Sequence, residues 1–70
     1  MDNKPDGYTV AEDKLRGVSA IAQFRGDSVR RTYYLCERGL IPVGKEGSLY
    51  VASKRQLRAH HEKLTRGEAE

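Results

Sequence analysis

The stretch GDSVRRTYYLCERGLIP, residues 26–42, limits the fold more than any other part of this chain. Asp27 or Ser28 is suited to cap a helix that runs from about Val29 to Arg38. Gly39 is a typical stop signal, and the proline that closes the stretch excludes a helix immediately afterwards. The central helix is therefore short and is bounded by a sharp turn at each end.

The two sides of this central helix differ in chemistry at about 100° per residue. The side predicted to be buried carries Val29, Thr32, Tyr33 and Cys36, with Leu35 at its margin. The opposite side carries Arg30, Tyr34 and Arg38, with Arg31 beside them. We expect Cys36 to be a small core residue and the arginines to face solvent.

Shorter signals predict the elements on either side. Gly17 to Phe24 reads as a first helix with an apolar stripe of Val18, Ile21 and Ala22, and Gly26 is suited to end it in the left-handed conformation. Leu40 to Val43 is predicted to be extended. It leads into a hairpin turn at residues 45–48 and a returning strand over Leu49 to Ala52.

The last helix begins with an S-x-x-Q capping box, Ser53 to Gln56. Its apolar stripe is Leu57, His61 and Leu64, with His60 at the edge, and we expect partial burial of His61. Gly67 is the predicted end. The order helix, turn, helix, β-hairpin, helix predicts a mainly α chain with a small two-stranded hairpin in a single compact domain.

Charge divides the chain into three parts. Residues 1–13 carry a net charge of −3 and are predicted to be a flexible acidic tail, although Thr9 to Glu12 fits a capping box that allows one helical turn. Residues 14–66 carry +8 and form the predicted domain, and residues 67–70 are an acidic tail of −2. A basic body indicates a polyanionic partner, most often nucleic acid, and the alternative is a basic surface that only keeps the chain in solution.

Several kinds of chemistry lack the residues they need. Cys36 is the only cysteine, so no intrachain disulfide forms, and no Cys/His set has zinc spacing. His60 and His61 point about 100° apart on a helix, so one metal cannot easily take both. We therefore expect no metal, no cofactor and no enzymatic activity. The absence of a signal region or an apolar span predicts a cytoplasmic location.

The pattern resembles a known superfamily. Gly26 to Arg30, Tyr33-Tyr34 and Gly39 to Pro42 look like the DNA-binding head of MerR-type regulators. The excisionase-like members, small prophage, plasmid and mobile-element proteins, are matched more closely. That similarity is carried by residues 17–22, the Gly39-x-x-Pro42 step, the strand of residues 47–53 and Leu57.

This resemblance implies a winged helix-turn-helix that binds double-stranded DNA. The recognition helix, at about residues 28–38, would enter the major groove, with a wing at about residues 43–52. The implied roles are a recombination directionality factor, a small transcription regulator or the DNA-recognition subunit of a phage terminase. Only six residues follow Leu64, so we expect no dimerisation helix, no effector domain and no small-molecule effector. Self-association on adjacent sites, or an integrase or polymerase partner, is expected to add specificity.

The candidate DNA contacts follow from the central helix and its neighbours. Arginines on a recognition helix can bridge guanine O6 and N7, and serine at a helix start suits a phosphate. The predicted set is Ser28, Arg30, Arg31, Tyr34, Arg38, Arg25, Lys45, Ser48, Lys54 and Arg55, with Lys45 at the hairpin tip. The alternative is a protein-interaction module that docks through the surface around Tyr34, Leu40 and Tyr50.

Overall fold

Four helices and three strands make up the part of the chain that the computed structural model describes, residues 9–67. In chain order they are α1 (Val10–Asp13), β1 (Lys14–Arg16), α2 (Val18–Arg25), α3 (Val29–Arg38), β2 (Val43–Glu46), β3 (Leu49–Ser53) and α4 (Lys54–Arg66). The fold is mainly helical with one small antiparallel sheet. The helices predicted at residues 17–24 and 29–38 and the last helix are confirmed.

The sheet has three strands rather than the two predicted. Its order is β1-β3-β2, so β3 pairs on both edges. Leu15 of β1 lies opposite Ala52 of β3, and Lys45 of β2 lies opposite Tyr50. Strand β1 has only three residues and no local pattern of its own. It exists because the edge of β3 offers it hydrogen-bonding partners about forty positions away in sequence.

The N-terminal helical turn belongs to the folded structure. The Thr9 hydroxyl accepts the Glu12 N–H and the Glu12 carboxylate accepts the Thr9 N–H, both at 3.0 Å, which confirms the capping box. Asp13, which ends α1, is buried. The tail boundary predicted between residues 13 and 14 therefore falls inside folded chain. The rest of the predicted N-terminal tail, residues 1–8, and residues 68–70 lie outside the described part.

A three-residue turn joins α2 to α3. Gly26 takes φ +77°, and the Asp27 N–H donates to the Ala22 carbonyl at 3.0 Å, so α2 ends in a left-handed glycine cap as predicted. The Ser28 hydroxyl accepts the Arg31 N–H at 3.1 Å and caps α3. Because both caps are formed by residues within the turn, the turn itself fixes where α3 starts.

The buried side of α3 differs from the prediction. Thr32, Leu35 and Cys36 are buried in the core, whereas Val29 and Tyr33 remain 51% and 49% exposed. The burial of Cys36 is confirmed. The error for the other two arises because periodicity gives only the angle between side chains, while the neighbouring elements decide which arc is covered. The core that covers this arc consists of Leu15, Ile21, Leu35, Cys36, Ile41 and Leu57.

Helix α4 packs through its first turns only. The Ser53 hydroxyl accepts the Gln56 N–H at 3.2 Å, and Leu57 is buried. His61 and Leu64 are exposed, which corrects the predicted stripe, because α4 packs against β3 at its start and runs past the core afterwards. Gly67 ends the helix at φ +77° as predicted. None of the helices within residues 9–67 has both the length and the apolar composition that a membrane-spanning helix needs.

The hairpin turn is tighter than predicted. Glu46 lies opposite Leu49, so only Gly47 and Ser48 form the turn, with Gly47 at φ +67°. A two-residue hairpin turn that starts with a positive φ favours glycine at that position. Lys45 therefore lies within strand β2 and not at the hairpin tip.

Candidate nucleic-acid interface

The exposed side of α3 carries four residues that we call the basic face: Arg30, Arg31, Tyr34 and Arg38. All four are exposed, and they lie opposite the buried Thr32, Leu35 and Cys36. The prediction that these four residues face solvent is therefore confirmed. Three guanidinium groups on one solvent-facing helix surface form a local concentration of positive charge.

Arg30 and Arg31 differ in whether the side chain forms an ion pair within the described part of the protein. The Arg30 side chain has no hydrogen bond or ion pair with any residue in the described range 9–67. Arg31 Nε lies 3.7 Å from Asp27 Oδ2, and its side chain is 64% exposed. An ion pair with this much exposure is weak and exchanges readily for another anion. Both guanidinium groups are thus accessible to a negatively charged partner.

Arg38 and Tyr34 form a stacked pair one helical turn further along. The Arg38 guanidinium carbon lies 5.1 Å from the centroid of the Tyr34 ring, and Tyr34 is 49% exposed. A cation over an aromatic face at this distance is attracted to the ring quadrupole. The contact holds the guanidinium against the Tyr34 ring, and Arg38 as a whole remains exposed.

A second group of residues, the tyrosine cluster, joins α3 to the hairpin: Tyr33, Glu37, Lys45 and Tyr50. The rings of Tyr33 and Tyr50 meet edge to face with centroids 6.1 Å apart. The Tyr50 hydroxyl donates to Glu37 Oε2 at 3.4 Å, and Lys45 Nζ lies 4.9 Å from the Tyr50 ring centroid. The cluster therefore brings Lys45 to the flank of α3.

The electrostatics of the cluster raise the pKa of both phenols above the ordinary value. A hydrogen bond to Glu37 and the charge of that carboxylate raise the pKa of Tyr33. Partial burial raises the pKa of Tyr50, and the Glu37 charge raises it further. Because Glu37 accepts from the Tyr50 hydroxyl, the carboxylate is held where the helix meets the hairpin.

Other predicted contacts lie apart from the basic face. Arg25 Nη1 is 2.6 Å from Asp27 Oδ2 and its side chain is only 19% exposed, so that charge is committed to an ion pair. Arg55 Nε lies 3.8 Å from Asp13 Oδ2, and half-buried Lys54 acts on the same carboxylate, so both belong to the junction of α1 and α4. Ser48 is exposed in the hairpin turn.

Residues 9–67 hold no group of three or more histidine, cysteine, aspartate or glutamate side chains arranged to bind a metal ion. Cys36 is buried, and burial raises the pKa of its thiol although the nearby Arg25 charge opposes the shift. A thiol of this kind is largely protonated at neutral pH and is a poor nucleophile.

Sequence reasoning missed Tyr33 and Glu37 as members of the surface. Their i, i+4 spacing was the available signal, because such residues are neighbours on a helix and tyrosine can donate to glutamate. The partner that completes the group, Tyr50, comes from another element and has no local signal.

A scan against protein-family models, a search of curated proteins and a search of solved structures each return no match to this chain.

Proposed function

We propose that this chain is a small double-stranded-DNA-binding protein with a winged helix-turn-helix arrangement. In this proposal α2, the three-residue turn and α3 form the helix-turn-helix, α3 is the recognition helix, and the β2–β3 hairpin is the wing. The expected role is that of an excisionase-like recombination directionality factor or a compact transcription regulator. The mechanism is architectural, with no covalent chemistry.

The basic face of α3 is the observation that carries the proposal. An α-helix fits the major groove of B-DNA, where arginine can bridge O6 and N7 of guanine with two hydrogen bonds. Arg30 and Arg31 lie in the first turn of α3, where recognition helices reach base edges. Tyr34, one turn later, can pack against a thymine methyl group or donate to a phosphate. The Ser28 end of the helix can meet the phosphate backbone.

The tyrosine cluster supports a role for the hairpin beside α3. Lys45 is held near α3 through its contact with Tyr50, so a duplex on the basic face would pass close to its ammonium group. Lysine and an exposed hairpin turn are suited to contact phosphates, and such contacts position a protein without reading sequence. In this proposal Arg30 and Arg31 read bases while Lys45 and Ser48 hold the backbone.

The expected interface is small for a sequence-specific protein. A single module of this size buries about 600–1,000 Å² of protein surface on DNA. We therefore propose that useful specificity comes from several copies on adjacent sites or from an integrase or polymerase partner. Neighbouring genes distinguish the roles: an integrase gene favours the excisionase role, and a terminase large-subunit gene favours packaging.

Salt dependence of duplex binding tests the proposal. If about 4–6 phosphates are neutralised, the slope of log affinity against log salt concentration is expected to be about −4 to −5. Fluorescence anisotropy of a labelled duplex, titrated with the full chain between about 50 and 200 mM salt, measures it. A slope near zero, or no binding to any duplex at low salt, contradicts the proposal and favours a protein-interaction module.

A further inference from the structure

A cleft of about 280 Å³ opens between the end of α2 and the first turns of α4. Nitrogen-bearing side chains that can donate to an anion supply most of its lining, and two apolar residues supply the rest. The lining residues are Phe24, Arg25, Leu57, Arg58, His60 and His61. None of the described residues that line the cleft is acidic. Its chemistry therefore suits a compact anion.

The packing around Arg58 fixes the charge at this cleft. Its guanidinium carbon lies 5.7 Å from the centroid of the Phe24 ring, and Phe24 packs against the core. Leu57, the preceding residue, is 4% exposed and anchors this turn of α4. Arg58 is exposed, and the contact with Phe24 holds its charge at the mouth of the cleft.

Two ion pairs that share the Asp27 carboxylate connect the cleft to the start of α3. Arg25 lines the cleft and pairs with Asp27, whose same carboxylate oxygen lies 3.7 Å from Arg31 Nε on the basic face. Two arginines share one carboxylate, so the link keeps a net positive charge. The Arg25–Asp27–Arg31 link therefore places the cleft close to the start of α3 and carries one net positive charge.

We propose that this cleft binds a phosphate group, and that in the complex the group is a backbone phosphate of the bound duplex. This inference depends on the proposed DNA-binding function and adds a contact to it, at a place outside the helix and hairpin. Arg58 supplies paired N–H donors to the phosphate oxygens, and the ring of His61, three positions further along α4, supplies a further donor. The connection through Arg25 and Asp27 to Arg31 favours a duplex phosphate over a free one.

The test compares two single-charge variants on α4. Arg58→Gln removes the charge and keeps a stem to cover Phe24. Lys63→Gln removes an exposed charge on the same helix outside the cleft. Duplex titrations over a range of salt concentrations are expected to show the slope of log affinity reduced in size by about 1 for Arg58→Gln. Affinity at low salt is expected to fall several-fold for that variant, and Lys63→Gln is expected to lose only the small share of binding that follows net charge.

Equal slopes and affinities for the wild type and Arg58→Gln overturn the proposal. Thermal melting of both variants shows whether they are folded, and Arg58→Lys, which keeps the charge, is expected to restore most of the slope. In a second arm, inorganic phosphate is titrated against the free chain while amide NMR signals of residues 57–61 are followed. If these signals shift but the salt slope of duplex binding is the same for Arg58→Gln and the wild type, the cleft binds free phosphate. That result overturns the duplex assignment. If the DNA-binding proposal itself is wrong, the wild type shows no salt-dependent duplex binding. That result differs from wild-type binding that Arg58→Gln leaves unchanged.

Discussion

Replacing Arg30 and Arg31 together with alanine is expected to lower duplex affinity by about 100-fold. Each arginine that contacts a base edge or a phosphate contributes about 1–3 kcal/mol, and two modest losses of about 1.4 kcal/mol multiply to this factor. The fold is expected to survive, because both side chains are exposed and surface substitutions of this kind change stability by about 0.5 kcal/mol or less. Anisotropy titration of a labelled duplex measures the affinity, and thermal melting checks the fold.

The matched control removes the same amount of charge from another surface. Arg16→Ala combined with Lys63→Ala also deletes two exposed cations, but Arg16 lies on β1 and Lys63 lies late in α4. We expect this control to lose only the small, general share of binding that follows net charge. If both double variants lose affinity equally, duplex binding depends on net charge and not on the α3 arginines in particular. If neither changes it, the surface is better explained as a docking site for another protein.

Replacing Asp13 with alanine is expected to lower the free energy of unfolding by about 2–3 kcal/mol. Asp13 accepts a hydrogen bond from the Ser53 hydroxyl at 2.5 Å and one from the Arg55 N–H at 2.9 Å, and its side chain is 12% exposed. Without the carboxylate, two donors at the start of α4 lose their partner and α1 loses its attachment. For a domain of this size the melting temperature is expected to fall by about 10–20 °C. An unchanged melting temperature would show that α1 contributes nothing to stability.

Asp13 also makes the free energy of unfolding depend on pH in the acidic range. Burial alone would raise the pKa of Asp13, but the Ser53 and Arg55 hydrogen bonds and the Arg55 and Lys54 charges outweigh it, so the pKa is lowered from its ordinary value of 3.8. A lowered pKa means that the stabilisation is complete above that ordinary value and is lost as pH falls through the folded-state value. Asp13→Asn, which keeps an acceptor without charge, is the matched variant. Its deficit in unfolding free energy should shrink below about pH 4.

Much of the local structure could be predicted from the sequence because its causes are local. The caps at Ser28, Gly26, Gly39 and Gly67 each act within a few residues of the glycine or serine that forms them. The arginine side of α3 was predictable for the same reason, since helical periodicity separates charged from apolar positions. These signals located α3 and its exposed surface before any tertiary contact was known.

Features that depend on distant partners were not predictable. Strand β1 exists through its pairing with β3, and Asp13 bonds to residues 40 and 42 positions away. Helical periodicity puts Tyr33 on the same side of α3 as Cys36 and so predicts that it is buried. In the structure the buried surface of α3 does not extend to Tyr33. The Tyr33 ring contacts Tyr50 of the hairpin at the protein surface. Sequence periodicity does not contain the position of the neighbouring element, so it cannot fix such a boundary.

The position of Lys45 shows how a small change in turn length alters a candidate site. A four-residue turn over residues 45–48 would have put this lysine at the hairpin tip. The two-residue turn that forms puts it in β2 opposite Tyr50, beside α3. The lysine remains a candidate phosphate contact in the proposed function, but it would act together with the basic face and not at a separate tip.

Mapping amide NMR signals of the full chain during titration with a duplex tests the central claim most directly. We expect the largest shifts at residues 28–38 of α3 and its cap, with smaller ones over the hairpin at residues 43–50. The core residues outside α3, such as Leu15, Ile21 and Ile41, should change little, because the contact is on the opposite side of that helix. Shifts confined to the outer side of β1 and the late turns of α4, or no shifts with any duplex, would contradict the account.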